Sequence, residues 1–162
     1  MKNFFVSFVV LMIAWIMLNW TFDPVNILIG VGLSIFLSLT FCSKCSVFSE
    51  INLTPKAFIY TFIYIFVFII ELIKANIDVT RRVLSPKLPI NPGIVKVKTK
   101  LKSKMARLIL ADSITLTPGT FTLQVEGDTF YIHWINVDVD DVEKATEELV
   151  RKFEKYLEVL YD

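Results

Sequence analysis

The chain has a single histidine and two cysteines in 162 residues, which leaves little for metal or thiol chemistry. A structural zinc site draws on four Cys or His ligands. Here Cys42 and Cys45 have no second pair, and His133 lies in another part of the chain. A redox C-x-x-C needs a thioredoxin-like setting, which is absent. The pair reads as two small polarizable residues at a membrane boundary, with a disulfide open to it in an oxidising compartment. Glycine is equally scarce, with five residues and no glycine-rich phosphate loop. The residues an enzyme would have to use, His133 with Asp128 or Asp112, stand at no nucleophile–base spacing. Charge is missing from the first part of the chain. Residues 1–70 carry only Lys2, Lys44 and Lys56 against Asp23 and Glu50. No ionisable residue falls near the middle of an apolar run, and ion or proton paths are marked by such residues. These absences argue against an enzyme, a cofactor or metal protein, and a transporter working alone.

What is present is apolar surface and a sharp ordering of charge. The sequence is 54% hydrophobic, with a mean hydropathy of +0.59, high for a soluble domain. From Lys74 to Arg107 there are ten Lys or Arg and one acid, Asp78; from Asp112 onward twelve acids face four bases. An apolar, then basic, then acidic order suits a basic middle lying against anionic lipid headgroups. Nothing in it points to nucleic acid or to a small-molecule substrate.

Three helices are expected in a transmembrane part covering residues 1–82, at about 4–21, 25–42 and 57–78. The first, FFVSFVVLMIAWIMLNW, lacks a small-residue cleavage site and reads as a retained helix. Asp23-Pro24 makes a tight turn into the second, whose Gly30, Gly32, Ser34 and Ser38 offer a face for close helix approach. Thr54-Pro55 is a cap and first position for the third. The third is uncharged to Ile70, then continues through Glu71 and Lys74, three apart, and Asp78 and Arg82, four apart, as a salt-bridged basic stem with Arg81. Three spans with the basic cluster held inside by the positive-inside rule would put the N-terminus outside, although Lys44 and Lys56 then lie outside too.

Residues 83–93 hold Pro86, Pro89 and Pro92 at every third position, the pattern of an extended, polyproline-like linker. A small α+β cytoplasmic domain, β-α-β-β-α, is expected over 94–162. IVKVKTKLK alternates, with Val95, Val97 and Leu101 on one face and Lys96, Lys98 and Lys100 on the other, a basic face open to lipid or to solvent. Ser103–Ala111 reads as a short helix. Thr117, Pro118 and Gly119 place Pro then Gly at the centre of a type II turn. Glu126-Gly127-Asp128-Thr129 joins two strands, and Phe130, Ile132 and Trp134 share one face of the second. A last helix from about Asp140 to Tyr161 has an apolar stripe through Ala145, Leu149, Val150, Phe153, Leu157 and Leu160, an acidic opposite face, and Asp138 or Asp140 as cap.

The strings ELIKANIDVTRRVLSP, PGIVKVKTKLKS, LADSITLTPGTFTL and GDTFYIHWINV, in this order after apolar spans, resemble the E-type component (MrpE/MnhE family) of the Mrp multisubunit sodium/proton antiporters. The resemblance covers Lys56 to Val137 and, in layout, the N-terminal helices; the last helix matches in character only. It implies an accessory, non-catalytic subunit in a prokaryotic plasma membrane, without cofactor, partnered by other membrane subunits of a large complex. The same module recurs in Mrp-derived respiratory complexes such as membrane-bound hydrogenases and sulfur-reducing assemblies. Glu71, Lys74, Asp78, Arg81 and Arg82, with Lys96, Lys98 and Lys100, are the candidate subunit or lipid contacts. A stand-alone lipid-binding anchor is the competing reading.

Overall fold

A computed structural model describes the chain except for residues 1, 43–49, 51, 53 and 140 and the side chains of Lys2, Phe41 and Cys42. The Cys42–Cys45 pair and the Asp140 cap lie outside the described residues. The chain forms two compact units, Met1–Ile51 and Asn52–Asp162.

The first unit is an antiparallel pair, α1 (Lys2–Asn19) and α2 (Pro24–Cys42). Trp20 stops α1 by taking a left-handed φ of 49°, while its N–H still reaches Ile16 O at 2.9 Å. Asp23 then caps α2, its Oδ2 accepting from the N–H groups of Val25 (3.2 Å) and Asn26 (3.3 Å). Gly30, Ser34 and Ser38, each four residues after the last, form the buried stripe of α2. The Trp15 ring lies across Gly30, where any Cβ would fall 2.4 Å from its Cδ1, and Trp15 Nε1 donates to Asn26 O at 3.1 Å. Gly32 is outside this stripe and open; two residues along a helix turn the side chain to another face.

The second unit begins with α3 (Pro55–Leu84), 30 residues and about 45 Å long. Thr54 caps it as expected, its hydroxyl accepting from Ala57 N at 3.1 Å, with Pro55 at the first position. Among the described residues, α3 is the one helix long and apolar enough to cross a membrane by length and composition; α1 and α2 are shorter apolar helices. Then follow β1 (Gly93–Lys98), α4 (Lys104–Leu116), β2 (Thr120–Glu126), β3 (Thr129–Trp134), α5 (Val142–Thr146), a π-helical turn (Glu147–Arg151) and α6 (Lys152–Tyr161). The strands make a three-stranded antiparallel sheet in the order β1-β3-β2. The element order is the expected β-α-β-β-α, and Gly127, at φ 60°, turns the β2–β3 hairpin.

Val97 from β1, Phe130 and Ile132 from β3, Leu110 and Ile114 from α4, and Phe153 and Leu157 from α6 form the core. Helix α3 closes the same core from the other side. Ala57 is 2% exposed, and Tyr60, Tyr64 and Phe68 pack against the cluster. The Phe153 ring meets Tyr64 and Phe68, each at 6.3 Å between centroids, and Tyr60 lies 6.4 Å from Tyr156. The Tyr64 hydroxyl bonds Ser113 Oγ of α4. At the start of the helix Asn52 N donates to Leu160 O at 2.9 Å; near its end Val79 stands beside Gly119. Sequence reading made α3 a membrane helix ending in a salt-bridged basic stem, whereas here the C-terminal elements pack along it from Asn52 to Val79.

The proline-rich segment also differs from expectation. Ser85 N donates to Arg82 O (3.2 Å) and Leu88 N to Ser85 O (3.0 Å), and Leu88 has φ 41°, outside the polyproline region. Tertiary bonds outweigh the local preference of the prolines. Arg82 Nη1 donates to Pro89 O at 2.8 Å, and Asn91 bonds both Ile135 O and Val137 O.

Candidate functional site

Glu71 is the acid that α3 turns toward the rest of its unit. Its carboxylate accepts from Lys74 Nζ at 2.7 Å on one oxygen and from Lys152 Nζ at 3.0 Å on the other. The i,i+3 spacing accounts for the first contact; the second joins α3 to the start of α6. Asp78 pairs with Arg82 at 2.7 Å, and the same guanidinium holds the proline-rich segment. Arg81 is exposed. The candidate charges of α3 thus divide into structural ties (Glu71, Asp78, Arg82), an exposed lysine that also pairs with Glu71 (Lys74), and a cation open at the surface (Arg81).

Lys96, Lys98 and Lys100 all present exposed side chains, while Val97 and Thr99 between them are buried. What holds this segment is a set of acceptors on the C-terminal helix. Lys98 N donates to Thr146 Oγ1 at 3.1 Å. Thr99 Oγ1 (2.6 Å) and Lys100 N (2.5 Å) both donate to Glu154 Oε1. Lys102 N and Ser103 N donate to the two oxygens of Asp162, each at 2.8 Å. Glu154 is 4% exposed, and Arg151 covers its other oxygen. Burial alone would raise the Glu154 carboxyl, but the bonds from Thr99, Lys100 and Arg151 outweigh it and hold the group below its ordinary value.

Sequence reading gave the last helix an acidic face opposite its apolar stripe and did not single out Glu154. The π-helical turn changes that, because it takes up about one extra residue and brings Thr146 and Glu154 close to two whole turns apart. Nothing in the spacing of apolar residues announces such a turn. An acid at 154, directly after the buried Phe153, was the available signal.

The Thr117–Thr120 turn forms as expected. Gly119 has φ 91°, Thr120 N donates to Thr117 O at 3.3 Å, and Gly119 O accepts from Ile135 N at 2.8 Å. Beside it is a cleft of about 110 Å³ lined by Asp78, Thr117, Trp134, Glu148 and Lys152 among others. That is small beside the roughly 300–1,000 Å³ of small-molecule sites. His133 is exposed on β3 between Ile94 and Phe121, and Asp128 is in the hairpin turn five residues back along the strand, roughly 17 Å away. Among the described residues no three of His, Cys, Asp and Glu gather as metal ligands.

Residues 8–159 match the family described as Na+/H+ ion antiporter subunit. The E-type Na+/H+ antiporter subunit of Alkalihalophilus pseudofirmus is 47% identical over 85 residues, which are 52% of this chain and 54% of that protein. The match therefore spans about half the length of that relative. The E1-type Na+/H+ antiporter subunit of Staphylococcus haemolyticus is 34% identical over 162 residues, 93% of each chain. Among solved structures, a chain of the membrane-bound sulfane sulfur reductase, an archaeal respiratory membrane complex, matches with a TM-score of 0.88 at 43% identity, covering 99% of this chain and 100% of that one.

Proposed function

This chain belongs to the Na+/H+ ion antiporter subunit family, and from that premise we propose that it is an accessory, non-catalytic membrane subunit of an ion-translocating complex. The resemblance to the E-type component read from the sequence agrees with the family match. The observation that carries the proposal is the use the fold makes of its charges. Within α1 after Lys2, and throughout α2, there is no Asp, Glu, Lys, Arg or His, so these helices offer no relay across a bilayer. The acid facing inward from α3, Glu71, is tied to two lysines. At about 27 and 28 Å, α1 and α2 approach the hydrocarbon thickness and anchor the chain. The second unit then supplies a folded surface for neighbouring subunits in the cytoplasm of a prokaryotic cell.

Two hosts fit. One is a Na+/H+ antiporter, as the names of the curated relatives suggest; the other is an Mrp-derived respiratory complex, favoured by the near-complete match to the sulfane sulfur reductase chain. Purification from native membranes in mild detergent, with identification of the co-purifying chains, tests the reading. Large antiporter-like subunits should accompany the chain. Reductase or hydrogenase subunits beside them would name the respiratory host. Recovery of the chain alone would overturn the accessory role and favour a stand-alone anchor.

A further inference from the structure

We propose that α3 lies in the plane of the membrane, seating the second unit on the headgroups of the cytoplasmic leaflet, and is not a third span. The inference rests on the packing of α3 and stands whichever complex is the host. If α3 crossed the bilayer, its uncharged stretch would lie in hydrocarbon, and α6 and α4 pack on that stretch through Tyr60, Tyr64 and Phe68. The exposed Lys155 and Glu158 of α6 and Asp112 of α4 would be carried in with them. Charges and irregular backbone facing lipid at that depth are strongly disfavoured.

The opposite face of α3 has the character of an interfacial helix. Phe58, Phe62, Phe66, Ile69, Ile73 and Ile77 are all exposed, 44–67%, in one stripe about 28 Å long. A contiguous apolar surface of that size needs a cover. Its chemistry points to lipid because of what borders it. Lys56, Lys74 and Arg81 are exposed and stand 18 and then 7 residues apart, about five and about two whole turns, so they line one long edge of the stripe. Apolar side chains below and cations at headgroup level are the arrangement of a helix bound to anionic membrane surface.

This placement also resolves the charge distribution. With two spans, both ends of the chain are on one side. Lys2, Lys44, Lys56 and the ten bases from Lys74 to Arg107 are then all cytoplasmic, and Asp23 in the α1–α2 turn is outside. Lys96 and Lys98 are exposed on the face of the sheet away from the core, whereas α3 packs on α6 and α4 at the core side, so the headgroup contact moves from them to Lys56, Lys74 and Arg81.

The test uses the full chain in its native membrane, with Cys42 and Cys45 replaced by Ser and a single cysteine introduced by Lys56→Cys or Lys87→Cys, at either end of α3. An impermeant maleimide should label both positions in inside-out vesicles and neither in intact cells. Labelling from opposite sides would show that α3 crosses and overturn the proposal; labelling of both from outside would overturn the cytoplasmic placement. Depth is read separately with a nitrobenzoxadiazole probe attached through Phe66→Cys, in the purified complex reconstituted with phosphatidylethanolamine and phosphatidylglycerol. Lipids brominated near the headgroup should quench it at least twofold more than lipids brominated near the chain end. Stronger quenching from the deep bromines indicates a span, and no quenching by either indicates that another protein covers the face; both results contradict the proposal.

Discussion

Replacing Glu154 with alanine should destabilise the second unit by about 2–4 kcal/mol. The substitution leaves the Thr99 hydroxyl and the Lys100 N–H without their acceptor in a buried place. Each orphaned donor costs about 1–3 kcal/mol, less where water enters. Arg151, partly exposed, can turn to solvent. Glu154→Gln keeps an acceptor oxygen and loses the charge, so its cost should be about 1 kcal/mol. Denaturation of the full chain in detergent, followed through Trp134 fluorescence after replacing Trp15 and Trp20 with Phe, measures both. The pH dependence has a definite sign. The Glu154 carboxyl is held below the ordinary 4.5 in the folded chain. Its contribution is therefore present above that value and lost as pH falls through the lower, folded one. The wild-type chain should lose stability faster than Glu154→Gln as pH is lowered below about 4.5. Equal acid sensitivity in the two would show that the carboxylate is not the anchor of the Thr99–Lys100 segment.

Gly119→Val should cost about 2–4 kcal/mol, more than any substitution at the other positive-φ glycine. Two effects add. At φ 91° a β-branched residue is strained, and a Cβ there would lie 2.9 Å from Ile135 Cγ2 and 3.4 Å from Val79 Cγ2. Ile135 cannot retreat freely, because its N–H is bonded to Gly119 O. Gly127 separates the two effects, since it has φ 60° and open space around a Cβ. Gly127→Ala should lose only the backbone part, about 1 kcal/mol. The same denaturation assay reads both variants. Equal losses at the two glycines would mean that the contact with Ile135 and Val79 does not constrain the turn.

Much of the second unit was legible because its signals are local. Alternation in IVKVK, the Pro118-Gly119 turn, Gly127 between two strands and the stripe from Ala145 to Leu160 each fix an element without reference to the others. The place of α3 was not legible for a physical reason. Its inner face, Ala57, Tyr60, Tyr64 and Phe68, is nearly as apolar as its outer face, so periodicity alone does not show that one of the two is covered by protein. The two tyrosines were the available hint. Four apart on one face, they place hydroxyls where protein partners can meet them, and Tyr64 finds Ser113. Lys152 as the second partner of Glu71 required knowing that α6 runs beside α3, which no spacing within either helix encodes. The proline-rich segment misled because each proline favours extended backbone, while bonds from Arg82 and Asn91 decide its path.

The central claim is that this subunit supplies structure and no step on the ion path, and Glu71→Gln tests it most directly. The variant keeps the shape of the side chain and an acceptor oxygen for one of the two lysines, Lys74 and Lys152, which stand at 2.7 and 3.0 Å from separate carboxylate oxygens, but it can no longer carry a proton or a full charge. Ion transport by reconstituted complex, normalised to the amount assembled, should stay near the wild-type value even if the yield of complex falls. A fully assembled Glu71→Gln complex with transport abolished would contradict the account and put Glu71 on the ion path.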